Sequence, residues 1–388
     1  MMEEIYACIA YEPCLLDYID FKKVTGPLWI LGKQYNVHSG NDLEDVNADI
    51  RSRLWFTYRK LFQPIGTTYL TSDSGWGCMH RCGQMLLAQA FILRHFGREW
   101  KWKPDCTEEM YKKILSKFDD RAECPYSIHK IASMGSMLEK QVGQWFGPNT
   151  VVQVLRRLSE EDTENDINLH VAMDNMVIKS EIRQLFRKKA KECTEGAANQ
   201  SNLSSPETED EVSENGEESH PVLLTIPLRL GLSEIIPVYF DKLKNVFKLK
   251  QCVGIIGGRT NHASYFIGYV GNELIYLDPH TTQPHKSEGP MDDLTYHCDH
   301  PSRMDFSQLD PSIALCFYLE SEIDFEEWCK EAQKALLEPE KDAVFEILEE
   351  KPAMLSYVDI DECDDYGMPS LDAVDRIYTS DDEFELLM

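Results

Sequence analysis

Helical signals fill the first half of this 388-residue chain and strand signals the second, an order that fits an α+β fold and not a doubly wound sheet. Val46, Ile50, Leu54 and Tyr58 recur at helical spacing and predict a helix over Glu44–Phe62. Further helices are expected from Cys78, and over Thr107–Phe118, Asn149–Leu158 and Asp174–Lys191. After residue 220 the pattern turns to β: Pro221–Leu230, Cys252–Ile256 and Ser312–Leu319 read as strands. Ser264–Val270 and Glu273–Leu277 read as a hairpin around Gly271-Asn272. A last helix is expected over Asp324–Leu337.

The formal charge of −28 argues against nucleic acid or an anionic membrane as the main partner, because both repel a net anion. Twelve cysteines lie singly, without the dense regular spacing of a disulfide scaffold. The first residues carry Glu3 and Glu4 and no basic stretch of a signal peptide, and no apolar run approaches the roughly 18 to 20 residues of a membrane span. A reduced, cytoplasmic monomer is expected. Residues 192–220 are rich in Ser, Asn, Gly and acid, with no Lys or Arg, which predicts a disordered insertion within one catalytic domain over 26–338. Residues 1–25 are expected to be flexible, and 339–388 to form an acidic, mobile tail.

Chemistry concentrates at two places. Cys78 ends Thr71-Ser-Asp-Ser-Gly-Trp-Gly-Cys78 and begins a predicted helix, where unpaired N–H groups and the helix dipole favour a thiolate. Two hundred residues on, the strand Glu273–Leu277 runs into Asp278-Pro279-His280, whose alternation puts carboxylate and imidazole on one side. A thiolate with a His oriented by a carboxylate is the set that nucleophilic acyl transfer needs. Free cysteines are often plain core residues, and His262, beside a glycine turn, remains a second candidate base. His80 and His95 sit on the Cys78 helix, pointing away or far down its axis, and His129 and His170 lack a nearby short acid. Gly254-Ile-Ile-Gly-Gly-Arg259 lacks the phosphate-loop spacing, and His297-Cys298-Asp-His300 has no second pair to complete a zinc site.

Longer motifs narrow the reading. Ser52-Arg-Leu-Trp-Phe-Thr-Tyr-Arg-Lys60, Ser74-Gly-Trp-Gly-Cys-Met79, Arg81-Cys-Gly-Gln-Met85, Gly143-Gln-Trp-Phe-Gly-Pro-Asn-Thr150, Ile226-Pro-Leu-Arg-Leu-Gly-Leu232, Tyr265-Phe-Ile-Gly-Tyr-Val-Gly271 and Leu277-Asp-Pro-His-Thr-Thr-Gln-Pro284 closely resemble the autophagins, the autophagy-related protein 4 cysteine proteases. The resemblance spans about Trp29 to Phe325 and implies a papain-like core with a small auxiliary subdomain. It implies Cys78 as nucleophile, His280 as base, Asp278 as its orienting partner, and Tyr58 as an oxyanion donor with the Cys78 N–H. Trp145 and the loop Arg259-Thr260-Asn261-His262 would cover the site, although Thr260 stands where relatives carry Pro, and Ser264 where they carry His. The implied substrates are ubiquitin-like modifiers of the GABARAP type, free and joined to phosphatidylethanolamine, cut after a C-terminal glycine. No cofactor or metal is implied, and membranes would be reached only through the lipidated substrate. Phe384 and Leu387 in the tail, and Tyr6 and Ile9 near the start, have the form of short motifs that add a strand to such modifiers.

Overall fold

First in order come the hairpin β1 (Pro27–Ile30) and β2 (Lys33–Asn36), helix α1 (Gly40–Arg51) and a two-residue strand β3 (Arg59–Lys60). A loop leads to α2 (Cys78–Phe96), followed by α3 (Glu109–Ser116), α4 (Ile128–Met134) and α5 (Pro148–Glu161). β4 (Asn168–Val171), β5 (Met176–Ile178) and α6 (Lys179–Arg187) close the first half. Then follow β6 (Val222–Arg229), α7 (Phe240–Val246), β7 (Cys252–Arg259), β8 (His262–Val270), β9 (Glu273–Leu277), β10 (Gln283–Pro284), β11 (Ser302–Asp305) and β12 (Ser312–Leu319). Helix α8 (Glu322–Ala332) and β13 (Glu346–Leu348) come last. This computed structural model describes residues 21, 26–36, 40–104, 106–187, 220–286, 289 and 291–352. Residues 192–219, Tyr6, Ile9, Phe384 and Leu387 lie outside the described residues.

Most strands form one mixed sheet in the order β11-β9-β8-β7-β12-β6-β4, joined by β1 and β2, while β3–β10 and β5–β13 pair separately. Its neighbours are antiparallel except β4 and β6, and β1 pairs with the far end of β8. Helix α2 packs on β7 and β8. Every residue from Cys78 to Ile92 is buried, so α2 is enclosed on all sides as the central helix of an α+β fold. Full burial of each Leu, Ile or Phe contributes about 1.5–3 kcal/mol, and one continuous core joins this helix to both faces of its surroundings. A smaller cluster of Phe62, Ile65, Trp76, Ile128 and Ala132 pins the loop before Cys78 onto α4. Among the described residues no helix is long and apolar enough to cross a membrane, and the eight described cysteines are free.

Three expectations are corrected. The helix expected to Phe62 ends at Arg51, and the Ser52 hydroxyl donates to the Ala48 carbonyl at the helix end. Beyond it Trp55 and Tyr58 donate their backbone N–H groups to Tyr296 and Pro279, so a partner segment far along the chain outcompetes helical spacing. The helix expected from Asp174 begins at Lys179, because Asp174 and Asn175 take left-handed turns (φ 55° and 57°) and Met176–Ile178 form a strand. Part of the segment expected to be a mobile tail from 339 is packed: β13 pairs in parallel with β5, and Phe345 is buried and stacked on Trp328.

Candidate active site

The loop before Cys78 is held by a buried carboxylate. Asp73 Oδ1 accepts the Arg59 backbone N–H at 2.7 Å, and Oδ2 accepts Arg81 Nε–H at 2.8 Å. Its carbonyl accepts the Gly77 N–H at 2.8 Å. A Cβ on Gly77 would lie 2.4 Å from Asp73 Oδ2, so only glycine allows this close approach. Arg81 forks onward to Asp120 at 2.9 and 3.0 Å. Cys78 thereby enters the first turn of α2 from a fixed direction, at the electropositive helix end.

The second half of the site is tied to the first by backbone. β9 ends at Leu277 and the chain continues as Asp278-Pro279-His280. Trp55 Nε1–H donates to the Asp278 carbonyl at 2.7 Å, Tyr58 N–H to the Pro279 carbonyl at 2.8 Å, and Gln283 N–H to the Tyr58 carbonyl at 2.9 Å. Tyr58 therefore stands beside the Asp-Pro-His segment, its ring edge-on to His280 at 5.3 Å and 87°. Cys78, Tyr58, Asp278 and His280 are all buried.

These neighbours set the charges. Burial alone would raise the Cys78 thiol, yet its pKa is lowered by the His280 imidazole, the Ala263 backbone N–H and the Trp145 indole N–H. Burial would depress His280, but Asp278 and Cys78 push it up to about 9. His280 Nδ1–H donates to Asp278 Oδ1 at 2.5 Å, which fixes the tautomer. Nε2 is buried, with no standard hydrogen bond among the described residues, and its charge interaction is with Cys78. Asp278 stays below the usual carboxylate range, because the His280 bonds and charge outweigh its burial. Lowering the thiol while raising the imidazole favours a thiolate–imidazolium pair.

Trp145 Nε1 lies 3.2 Å from Cys78 Sγ. Trp145, Pro148, Met79, Gly257–Asn261, Asp310 and Ser312 line a narrow recess of about 40 Å³. Arg259 Nη2–H donates to Gln308 Oε1 at 3.2 Å, and Asp310 N–H to the Gly258 carbonyl at 2.7 Å. Trp145 and residues 259–261 of the turn thus share one recess beside Cys78, which is 1% exposed.

His262 is the residue that sequence left open. Its ring stacks on His280 at 3.6 Å and 8°, with Nε2 3.9 Å from Asp278 Oδ1. His262, Asp278 and His280 offer three donor atoms within 4.8 Å of one another. The two rings are parallel, so their in-plane lone pairs run side by side and do not converge on one cation. His80 is buried between Trp76 and Phe146 with its pKa pushed down to about 3, chiefly by burial. His297 binds Tyr111 and the Arg51 carbonyl within the core. Sequence reasoning missed the Ala263 N–H, the Trp55 indole and the Asp73–Arg81–Asp120 network. Of these only Asp73, five residues before Cys78, left a local signal.

A family model of the peptidase C54 catalytic domain matches residues 43–331, which takes in all four clustered residues. The chain belongs to the peptidase C54 family. It is 44% identical over 398 residues to cysteine protease ATG4B of Gallus gallus, covering 98% of this chain and 99% of the relative. Cysteine protease ATG4B of Xenopus laevis is 46% identical over 378 residues, covering 96% of each. Cysteine protease ATG4A of Homo sapiens is 44% identical over 344 residues, covering 87% of this chain and 86% of the relative. The chain is accordingly a papain-like α+β member of the ATG4 cysteine proteases of autophagy.

Proposed function

We propose that this C54 peptidase cuts GABARAP-type ubiquitin-like modifiers after their C-terminal glycine, both maturing the precursor and releasing the modifier from phosphatidylethanolamine. Both scissile bonds are amides of the same glycine, so one site serves both reactions. The observation that carries the reading is the meeting of a helix-start thiol with the Asp278–His280 pair beside Tyr58. Cys78 thiolate attacks the glycyl carbonyl, and the Cys78 N–H and Tyr58 hydroxyl hold the oxyanion. His280 gives its proton to the leaving amine as the C–N bond breaks and the thioester forms. It then takes a proton from water, whose oxygen attacks the thioester, and the C–S bond breaks to restore the Cys78 thiolate beside protonated His280.

Trp145 and the 259–262 turn act as the gate. The barely exposed thiol requires Trp145 to move before a glycine can reach it, and the confined recess suits a side-chain-free residue. The proposed catalytic unit runs from 26 through β13, with 192–220 a dispensable insertion, and docking by Phe384 and Leu387, and by Tyr6 and Ile9, adds affinity from either end. The protein would act as a cytoplasmic monomer that meets membranes through its lipidated substrate.

The test is the intact mass of products from a purified precursor and from modifier–phosphatidylethanolamine in vesicles. Release of a modifier ending in glycine from both is expected. Cleavage of the precursor alone would remove the delipidating half, and equal cleavage of ubiquitin fusions would replace modifier specificity with a general deubiquitinase reading.

A further inference from the structure

We propose, resting on the site reading above, that His262 is a positioning residue: its ring face clamps the imidazole of His280 and links that ring to the 259–262 turn. Three observations carry this. His280 is confined on two sides, by the edge of Tyr58 at 5.3 Å and by the face of His262 at 3.6 Å and 8°. A parallel ring face at this distance lets the imidazole slide in its own plane, from thiol to leaving amine, while opposing the tilt that would break its bond to Asp278.

His262 is also the last residue of the turn and the first of β8. Its backbone is packed tightly: a Cβ on Gly258 (φ +156°) would lie 2.0 Å from the His262 carbonyl oxygen. The next residue, Ala263, sits with its backbone N–H toward the Cys78 thiol and lowers its pKa. A displacement of the turn therefore reaches the base through the His262 ring and the nucleophile through the Ala263 amide.

Charge supports the same geometry. His262 is pushed down to about 4 by burial and by the facing His280, with Arg259 also lowering it and Asp278 opposing. At neutral pH a neutral ring face therefore lies on the imidazolium, a favourable stack, and it covers the Asp278–His280 hydrogen bond. Cys78 and Tyr58 face His280 from its other sides.

The experiment compares full-length wild type, His262→Ser and His262→Phe on the glycine-terminated precursor, with thermal unfolding as a check on folding. Loss of the ring face in His262→Ser is expected to lower kcat on the order of tenfold to a hundredfold with KM little changed, as misplacement of a reacting group does. It should also move the alkaline limb of kcat/KM from about 9 toward the ordinary imidazole value, since exposure weakens the interactions that raise His280. His262→Phe keeps a flat face and should recover most of that loss. Wild-type behaviour of His262→Ser, a change confined to KM, or equal damage in His262→Phe would each overturn the clamp.

A readout free of substrate separates this proposal from the proposed function: the pH dependence of iodoacetamide alkylation at Cys78, located by peptide mass. If no modifier is cleaved, the functional reading fails, while a shifted Cys78–His280 titration in His262→Ser but not His262→Phe still upholds the clamp. An unshifted titration in both defeats it.

Discussion

His280 holds its proton up to about 9 because Asp278 and Cys78 outweigh burial, and that sets two pH effects. As an acid to the leaving amine it fails once deprotonated, so kcat/KM should fall as pH rises past about 9. A limb near 6.5 would mean that Asp278 gives it no support. Because its folded pKa is raised, the contribution of His280 to folding stability is complete below 6.5 and is lost as pH rises through about 9. Tyr58→Phe should lower kcat about a hundredfold, the equivalent of one oxyanion donor at about 3 kcal/mol, with little change in KM. Equal rates for this variant and wild type would remove Tyr58 from the mechanism. Cys78, Asp278 and His280 were legible in sequence because each sits at a local boundary, a helix start or a strand end. The Ala263 N–H was not: every residue but proline has one, and only the fold aims it. His262 stood between gate and base in the sequence, and its stack on His280 depends on a strand pairing that no local pattern reports.

At the scale of elements, the loop before α2 depends on one cation. Arg81 is buried with Asp73 and Asp120, whose side chains are 0% and 3% exposed. Arg81→Met leaves two buried carboxylates without their partner, and loss of about 3–5 kcal/mol is expected in denaturant unfolding. A loss below about 1 kcal/mol would show that the loop is held chiefly by the Phe62–Trp76 cluster. The same segment explains where sequence reading failed. Leu54 and Tyr58 continue the helical spacing of Val46 and Ile50, but their neighbours pair with residues 279–296. Periodicity records which side chains are buried and not which backbone groups are claimed by a distant strand. Strands β6, β7, β8, β9 and β12 were legible because each is a short apolar run bounded by turn residues. The pairs β4–β6 and β5–β13 were not, since they join segments tens to hundreds of residues apart.

For the whole molecule, the central helix and sheet lie within the stretch that matches the C54 catalytic domain. Deletion of 192–219 should leave cleavage of a minimal glycine peptide within about twofold of wild type, since α6 and β6 are each anchored in the core. A folded but inactive deletion variant would place that segment in the catalytic unit. Phe384→Ala should weaken modifier binding with unchanged peptide kinetics, the signature of docking apart from chemistry. Unchanged modifier affinity would argue against the motif. Truncation after Lys334 should destabilise the protein, because Phe345 and β13 pack against Trp328 and β5.

The central claim is that one thiol, Cys78, takes the glycyl carbonyl. A GABARAP-type modifier carrying a C-terminal electrophile in place of its last glycine, followed by peptide mass mapping, tests it directly. A single adduct at Cys78, abolished in Cys78→Ala, is the expected result, with Cys82 unlabelled because burial holds its thiol well above the ordinary range. Labelling at another cysteine, or an adduct that persists in Cys78→Ala, would contradict the account.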